Sequence, residues 1–573
     1  MKASDWVAAF LHGQGVRHVF QVSGGMITHL LDSLHQDGRV ELVSVRHEQA
    51  AAFAADAVGR VTGRPGVAMA TSGPGAVNLL TGIGSCHFDS SPAVFVTGQV
   101  NTHEGKGGRP IRQAGFQETD IAAMAAPITK AALRVATAQE LPAAMERAFS
   151  LALEGRPGPV LVDIPMDLQR ADVPARLPGL IVPAAAPAAA PAAVKEALDL
   201  LAAAARPLIL AGNGVAAARG TARLREFAEA VGAPVVNTLL AVDALPCGHA
   251  LRAGLIGSYG NRWANLAVGE SDLVLVLGSR LDIRQTGSEA AFLSQGRAVI
   301  HVDCEPAQIN DRVTGSRPLV AHLASFFDEA LAQARRSPVP RRTAWLARID
   351  ELRRQRPDTA ECREAPSINP NDFMHRLSEA GSRAGAYVVD VGQHQMWAAQ
   401  SLDLGPDQRF LTSGGMGAMG FALPAAMGAA FAQPGRPQVV IAGDGGFQVN
   451  IQELQTVAHH KLPLKMVVLD NRCHGMVRQF QQSYFDGRYA GTYWGYSAPD
   501  FCKVAQAYGL AAAAVAEPGD LAAGLGRLWA DPLEPFLLQV RVDTFANVYP
   551  KIAFGRPMTE MEPEVQPTAM EST

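Results

Sequence analysis

The sequence predicts an α/β protein built from three doubly wound parallel-sheet domains. Short apolar runs recur along the whole chain, separated by segments of helix length, the pattern of parallel strands joined by crossover helices. Two Pro-rich breaks divide that pattern into thirds. Pro183 to Pro191 is a Pro/Ala run that reads as a semi-rigid linker, and Arg335 to Pro370 mixes Pro338, Pro340, Pro357 and Pro366 with many charges. The length, 573 residues, also exceeds what one core holds, so several domains are expected. The expected units are 1–175, 192–340 and 366–545, followed by a tail, 546–573.

In the first unit, Leu42-Val43-Ser44-Val45 leads to Glu48 and an Ala-rich helix, Gln49 to Val58. Val67-Ala68-Met69-Ala70 runs into Thr71-Ser72-Gly73-Pro74-Gly75, and Ala93 to Val96 follows after a helix-length gap. The middle unit repeats the style at Leu208 to Leu210, Val235-Val236, Leu273 to Leu277 and Val299 to Val302. The last does so at Val388-Val389, Phe410-Leu411, Val439 to Ala442, Met466 to Leu469 and Phe536 to Leu538. Beyond Phe545 the chain is rich in Pro, Met and Glu and reads as mobile at its end.

Composition excludes several classes. Apolar residues make up 48% and charged residues 18%, a globular balance. A net charge of −4 makes no electrostatic case for nucleic acid or an anionic membrane. Six scattered cysteines without a CxxC pair fit neither a disulfide framework nor a zinc site. No apolar signal core opens the chain and no run of about 20 apolar residues occurs, so a soluble, cytoplasmic protein is expected.

The chemistry concentrates in the last unit. Gly443-Asp444-Gly445 closes one apolar run and Asn471 closes the next, so two neighbouring strand ends each carry an oxygen ligand. Such a tripeptide alone is a common turn; the amide at the following strand end is what points to a metal. A carboxylate, an amide oxygen and a carbonyl from Cys473 suit Mg²⁺ that shares its shell with a diphosphate. Gly445 and Gly446 would let main-chain N–H groups approach that phosphate at a helix start. Glu48 sits where an acid simply complements a helix N-terminus, or where a strand end presents a carboxylate for chemistry. Ser413-Gly414-Gly415-Met416-Gly417-Ala418-Met419-Gly420 permits close backbone approach to a planar ligand, its methionines serving as core fillers or as wedges against a ring. Gly212-Asn213-Gly214 and Gly278 to Arg284 read together as an extended nucleotide site, and the absence of a GxGxxG fingerprint there disfavours an ordinary NAD domain.

These segments, together with Phe116-Gln117-Glu118, Arg156-Pro157-Gly158-Pro159 and Val391-Gly392-Gln393-His394-Gln395-Met396-Trp397, resemble the catalytic subunit of acetohydroxyacid (acetolactate) synthase. That is a flavin-containing branch of the thiamine-diphosphate enzymes. The similarity runs in the family's order from near the N-terminus to about residue 545.

The resemblance implies a pyrimidine-binding first domain, a central FAD-type domain and a diphosphate-binding last domain. Thiamine diphosphate would contact Thr71, Pro74, Asn78, Val391, Gly392, Gln393, His394, Gly417, Met419, Gly443, Gly445, Gly446, Gly475 and Met476. Mg²⁺ would lie on Asp444, Asn471 and the Cys473 carbonyl. FAD, not consumed in turnover, would contact Arg156, Gly212, Asn213, Gly214, Thr238, Leu239, Gly278, Arg280, Asp282, Arg284 and Asp303. Glu48 would hydrogen-bond the pyrimidine ring, Met419 would prop the coenzyme in a bent shape, and Arg284, Gln117 and Phe116 would shape the acceptor pocket. The expected reaction decarboxylates pyruvate and passes its two-carbon unit to a second 2-keto acid. The expected assembly is a homodimer or homotetramer with sites between subunits, and a small regulatory subunit is a candidate partner.

Four departures from the family pattern stand out. Phe480 replaces a Trp that selects 2-ketobutyrate over pyruvate, Met166 replaces a Lys near the acceptor channel, Met26 stands at a usually small position, and Asp470 replaces the first Asn of an Asn-Asn pair. Acceptor choice is therefore open to a ketone or ketosugar. A pyruvate oxidase and a non-catalytic subunit that keeps the fold are the other readings.

Overall fold

A computed structural model describes residues 1–184, 186–336, 342–362 and 367–568. Pro338, Pro340 and Pro366 of the second break, and the last five residues of the tail, lie outside them.

Three six-stranded sheets, each parallel throughout, follow one another along the chain. The first holds β1 (His18–Gln21), β2 (Glu41–Ser44), β3 (Gly66–Ala70), β4 (Ala93–Gln99), β5 (Ala131–Arg134) and β6 (Pro159–Pro165). The second holds β7 (Pro207–Ala211), β8 (Val235–Asn237), β9 (Arg252–Leu255), β10 (Leu273–Leu277), β11 (Ala298–Asp303) and β12 (Arg317–Val320). The third holds β13 (Ala386–Val389), β14 (Arg409–Thr412), β15 (Gln438–Gly443), β16 (Leu464–Asp470), β17 (Ala511–Val515) and β18 (Phe536–Arg541). The first and third share one topology: β2-β1-β3-β4-β6-β5 corresponds strand for strand to β14-β13-β15-β16-β18-β17. The second runs β12-β11-β10-β7-β8-β9, the dinucleotide-binding order whose switch point falls between β7 and β10.

The central strands are buried on both faces, which is why they read as continuous apolar runs and not as alternating ones. The first and third domains share one apolar core. The Ala-rich helix Glu48–Thr62 packs on the equally small-residue helix Ala422–Ala432, and Phe53 meets Phe421 edge-on at 5.3 Å. A Cβ at Gly428 would lie 2.1 Å from the Ala54 carbonyl oxygen, so this crossing has no room for a larger residue.

One expectation is corrected. The connection from β15 to β16 is not one crossover helix but two short ones, Asp444–Val449 and Leu454–His460, joined by a 3₁₀ turn. In the tail, β19 (Lys551–Ile552) and β20 (Met561–Glu562) form an antiparallel hairpin, while the final residues, where mobility is expected, lie outside those described. Ile552, Met558 and Met561 bury in the middle domain's core, and Lys551 pairs with Glu562 at 2.8 Å. Burying each such side chain contributes roughly 1.5–3 kcal/mol, ample to order a short tail. Among the described residues the Pro/Ala run carries no regular structure until Pro191, which opens the helix Pro191–Ala203 at its first position.

His375 ties the last domain to the segment that precedes it. Its Nδ1 lies 2.7 Å from Asp403 Oδ2 and its Nε2 2.9 Å from Asp358 Oδ2. Burial opposes the charge, but the two carboxylates outweigh it and push the imidazole up to about 10. A raised folded-state value means stability that is complete below about pH 6.5 and is lost as pH rises towards 10. The melting temperature is expected to fall across that window, and His375→Gln is expected to flatten the fall; a parallel decline in both proteins refutes the assignment.

Candidate active site

Adjacent parallel pairing of β15 and β16 puts Gly443 beside Leu469, so Asp444 and Asn471 emerge together at the carboxyl ends of neighbouring strands. The Gly445 N–H donates to Asp444 Oδ1 at 3.0 Å, while Oδ2 is buried without a partner. Burial, and then the charge of Asp470, push the Asp444 carboxyl up to about 7. Asn471 Nδ2 donates to Gln393 Oε1 at 3.1 Å, which turns its Oδ1 towards the Cys473 N–H at 3.3 Å. The Cys473 thiol donates to the Thr544 carbonyl, and burial pushes it up to about 11, so this residue has a main-chain oxygen and not a thiolate to offer a metal.

His394 is buried with its Nε2 unpartnered, and burial pushes it down to about 3, leaving a neutral imidazole. It packs against Gly392 and Gly443. An orphaned carboxylate oxygen, an orphaned ring nitrogen and glycine-lined strand ends fit a hydrated Mg²⁺ carrying a diphosphate. Among the described residues no group of three or more His, Cys, Asp or Glu could hold a metal without such help.

Asp390, which sequence reasoning missed, organises this corner. Its Oδ1 accepts from the N–H groups of Val391 at 2.8 Å and Gly420 at 2.9 Å, and its Oδ2 from Ala422 at 2.9 Å. Burial raises the carboxyl to about 6 against those three donors. A Cβ at Gly446 would lie 2.6 Å from Asp390 Oδ1, which is why that position has none. The only sequence signal was an acid directly after the β13 run. Gly417 adopts a left-handed φ of 66° in the exposed part of the glycine run, Met419 is half-buried, and Met476 packs against the core under the third sheet. Gly475 abuts the Gln393 side chain.

In the first domain, Glu48 begins its helix after the cap His47, whose Nδ1 accepts from Gln49 N–H at 3.1 Å. Glu48 is 8% exposed, and Asn78 Nδ2 donates to its Oε2 at 2.9 Å. Gly75 faces both Glu48 Oε1 and Thr71, while Pro74 starts the short helix that carries Asn78. Gly73 and Gln117, both left-handed at φ 66° and 63°, pack together. Glu48, Thr71, Pro74, Asn78 and Gln117 are thus one neighbourhood. Phe116 beside it is 78% exposed.

The middle domain holds a cavity of about 1250 Å³, open mouth included, at its switch point. Arg156, Asn213, Gly214, Thr238, Leu239, Gly278, Arg280, Asp282, Arg284 and Asp303 line it. Gly212 does not; it packs against the Gly278 carbonyl, where a Cβ would come within 2.3 Å. Asp282 caps the turn that holds Arg284, accepting its N–H at 2.9 Å and the Arg280 Nε at 2.8 Å. The Arg284 guanidinium lies over the Tyr259 ring at 5.6 Å. The cavity is dinucleotide-sized, with cationic side chains and glycines at strand ends, and FAD fits it.

Comparison with known proteins agrees with this arrangement. The N-terminal thiamine pyrophosphate (TPP) binding domain model of thiamine pyrophosphate enzymes matches residues 1–124, the central domain 194–330 and the C-terminal TPP binding domain 390–540. Acetolactate synthase isozyme 2 large subunit of Escherichia coli is 38% identical over 98% of this chain and 99% of its own length. A probable acetolactate synthase large subunit of Methanocaldococcus jannaschii is 36% identical over 100% and 96%. The acetolactate synthase large subunit of Parasynechococcus marenigrum is 39% identical over 96% and 89%. With this identity over nearly the whole chain and all three domains matched, the chain belongs to the acetolactate synthase large-subunit family of thiamine-diphosphate enzymes.

Proposed function

We propose that this chain decarboxylates pyruvate and joins the two-carbon unit to a second 2-keto acid, giving 2-acetolactate and carbon dioxide. The observation that carries this is the intact Glu48, Asp444 and Asn471 set within a chain similar over its whole length to acetolactate synthases. Thiamine diphosphate supplies, when bound, the electron sink for loss of carbon dioxide and for carbon–carbon bond formation. Asp444, Asn471 and the Cys473 carbonyl hold its Mg²⁺, and His394 offers a neutral ring nitrogen to the diphosphate. Glu48 would hydrogen-bond the pyrimidine ring. Met419 props the ring, and FAD is held in the middle cavity by Arg156, Asn213, Arg280 and Asp303. Arg284 grips the acceptor carboxylate with two parallel donors.

The working unit in this reading is a homodimer or a pair of dimers. The exposed Phe116 beside the Glu48 neighbourhood supports it, because a partner would cover that ring. The relatives are named as large subunits, so a small regulatory subunit belongs to the proposal.

Incubation with pyruvate, thiamine diphosphate, Mg²⁺ and FAD is expected to yield 2-acetolactate without oxygen uptake. Peroxide formation in its place would identify an oxidase. Acceptor choice turns on Phe480, which is 40% exposed on the helix Gly475–Tyr484 and meets Tyr484 at 4.8 Å. In competition, little preference for 2-ketobutyrate over pyruvate is expected, and Phe480→Trp is expected to raise that preference several-fold. A strong 2-ketobutyrate bias in the unaltered protein defeats the idea.

A further inference from the structure

Asp89 caps the helix Leu80–Phe88 and is buried where the three domains meet. Its Oδ1 accepts from the Gly415 N–H at 2.7 Å, and its Oδ2 from the Gly414 N–H at 2.9 Å and from Arg60 Nη2 at 2.9 Å. Its main-chain oxygen accepts from Asn213 Nδ2 at 2.7 Å. Arg60 is shared with Asp56 (Nε to Oδ1, 2.6 Å) and donates from Nη1 to the Thr412 carbonyl at 2.8 Å. Next to it, the Ser85 and Ser413 hydroxyls meet at 3.2 Å, and Ser413 Oγ accepts from the Ala418 N–H at 3.1 Å.

Asp89, Asn213, Gly414 and Gly415 all line the middle-domain cavity. The same glycine run continues within a few residues to Gly417 and Met419. One carboxylate therefore touches the wall of the flavin cavity and anchors the segment that carries the thiamine-diphosphate prop. A buried arginine between two carboxylates is a costly way to hold a loop, which makes exact placement of that loop the feature to explain.

We propose that Asp89 is a positioning residue through which filling of the flavin cavity tightens the thiamine-diphosphate site. This rests on the functional reading above. A ligand packed on Asn213, Gly414 and Gly415 restricts the start of the run, and the Asp89 and Ser413 bonds pass that restriction to Met419. Linkage requires that FAD and thiamine diphosphate each raise the other's affinity by the same factor.

The test uses the full-length protein stripped of cofactors. Thiamine diphosphate is titrated at fixed Mg²⁺, with and without saturating FAD, by quenching of intrinsic fluorescence. FAD is expected to tighten binding by roughly 5- to 150-fold in the unaltered protein. In Asp89→Asn the single amide oxygen cannot serve Arg60 and both glycine N–H groups, while Arg60 keeps Asp56. The factor is expected to fall towards one, with each cofactor still binding alone. Ser413→Ala, which removes only a hydroxyl, is expected to lower the factor several-fold and decides the matter should Asp89→Asn not fold. An undiminished factor in the variant, or no coupling in the unaltered protein, overturns the proposal. Failure of the unaltered protein to bind FAD at all would sink the reading of the cavity itself.

Discussion

Replacing Glu48 with Gln is expected to cut 2-acetolactate formation by roughly 10²- to 10⁴-fold, the usual weight of one positioned proton-transfer group. The geometry makes this a selective change. Glutamine has the same shape, and by presenting its oxygen to Asn78 Nδ2 it preserves the 2.9 Å bond that now orients Glu48 Oε2. Its amide NH₂ then occupies the place of Oε1 beside Gly75. The site keeps its volume and its packing and loses only an acceptor that can take and return a proton. Binding of thiamine diphosphate should weaken less than tenfold, because the diphosphate end carries most of the hold. Parallel measurement of turnover and of coenzyme affinity separates the two effects. A variant that turns over at the normal rate would remove Glu48 from the mechanism.

The second large effect is expected at Asp444. Asp444→Asn keeps the shape but not the charge that a divalent ion needs, so Mg²⁺-dependent affinity for thiamine diphosphate should fall by two orders of magnitude or more. The pH dependence supplies an independent reading. In the metal-free fold burial, and next Asp470, push the carboxyl up to about 7, against about 3.9 in an unfolded chain. Between those values the folded state holds a proton that the unfolded state does not, so metal-free stability declines as pH rises from about 4 to 7. The metal requires the ionised form. Coenzyme affinity at fixed Mg²⁺ should therefore climb with pH up to about 7 and level off above it. Titrations between pH 5.5 and 8 on both proteins check this: the climb should disappear in Asp444→Asn, and its persistence there would assign the titration to another group.

How much of this was legible in the sequence depended on what each residue does locally. Central strands such as Leu273–Leu277 and Gln438–Gly443 announce themselves because burial on both faces demands unbroken apolar runs. The edge strands Ala511–Val515 and Ala131–Arg134, and the terminal strand Arg317–Val320, do not. Pairing on one side only asks little of their side chains, and alanine-rich or mixed runs there resemble helix or loop. Strand ends bearing Asp444 and Asn471 were readable because ligand and strand are contiguous. Asp390 and Asp89 were not, since each also accepts main-chain N–H groups from distant glycines, Asp390 from Gly420 and Asp89 from Gly415. Strand order in the middle sheet is likewise a tertiary property, and its dinucleotide-binding arrangement emerged only in three dimensions. The hairpin between residues 551 and 562 was not legible either, because its methionines find their core in another domain.

That tail also dictates where relatives of this chain can be recombined. Residues 546–548 are held by the last domain: Gln393 Nε2 and Arg478 Nη2 donate to the Ala546 carbonyl, and the Val548 N–H donates to Gln479 Oε1. A few residues later the Ile552 N–H donates to the Ser258 carbonyl and the Gly555 N–H to Ser288 Oγ, both in the middle domain. A chimera spliced at the end of the third sheet would graft a foreign clasp onto two native partners at once. Breakpoints that transfer the hairpin together with the middle domain it grips keep both halves of that fastening matched.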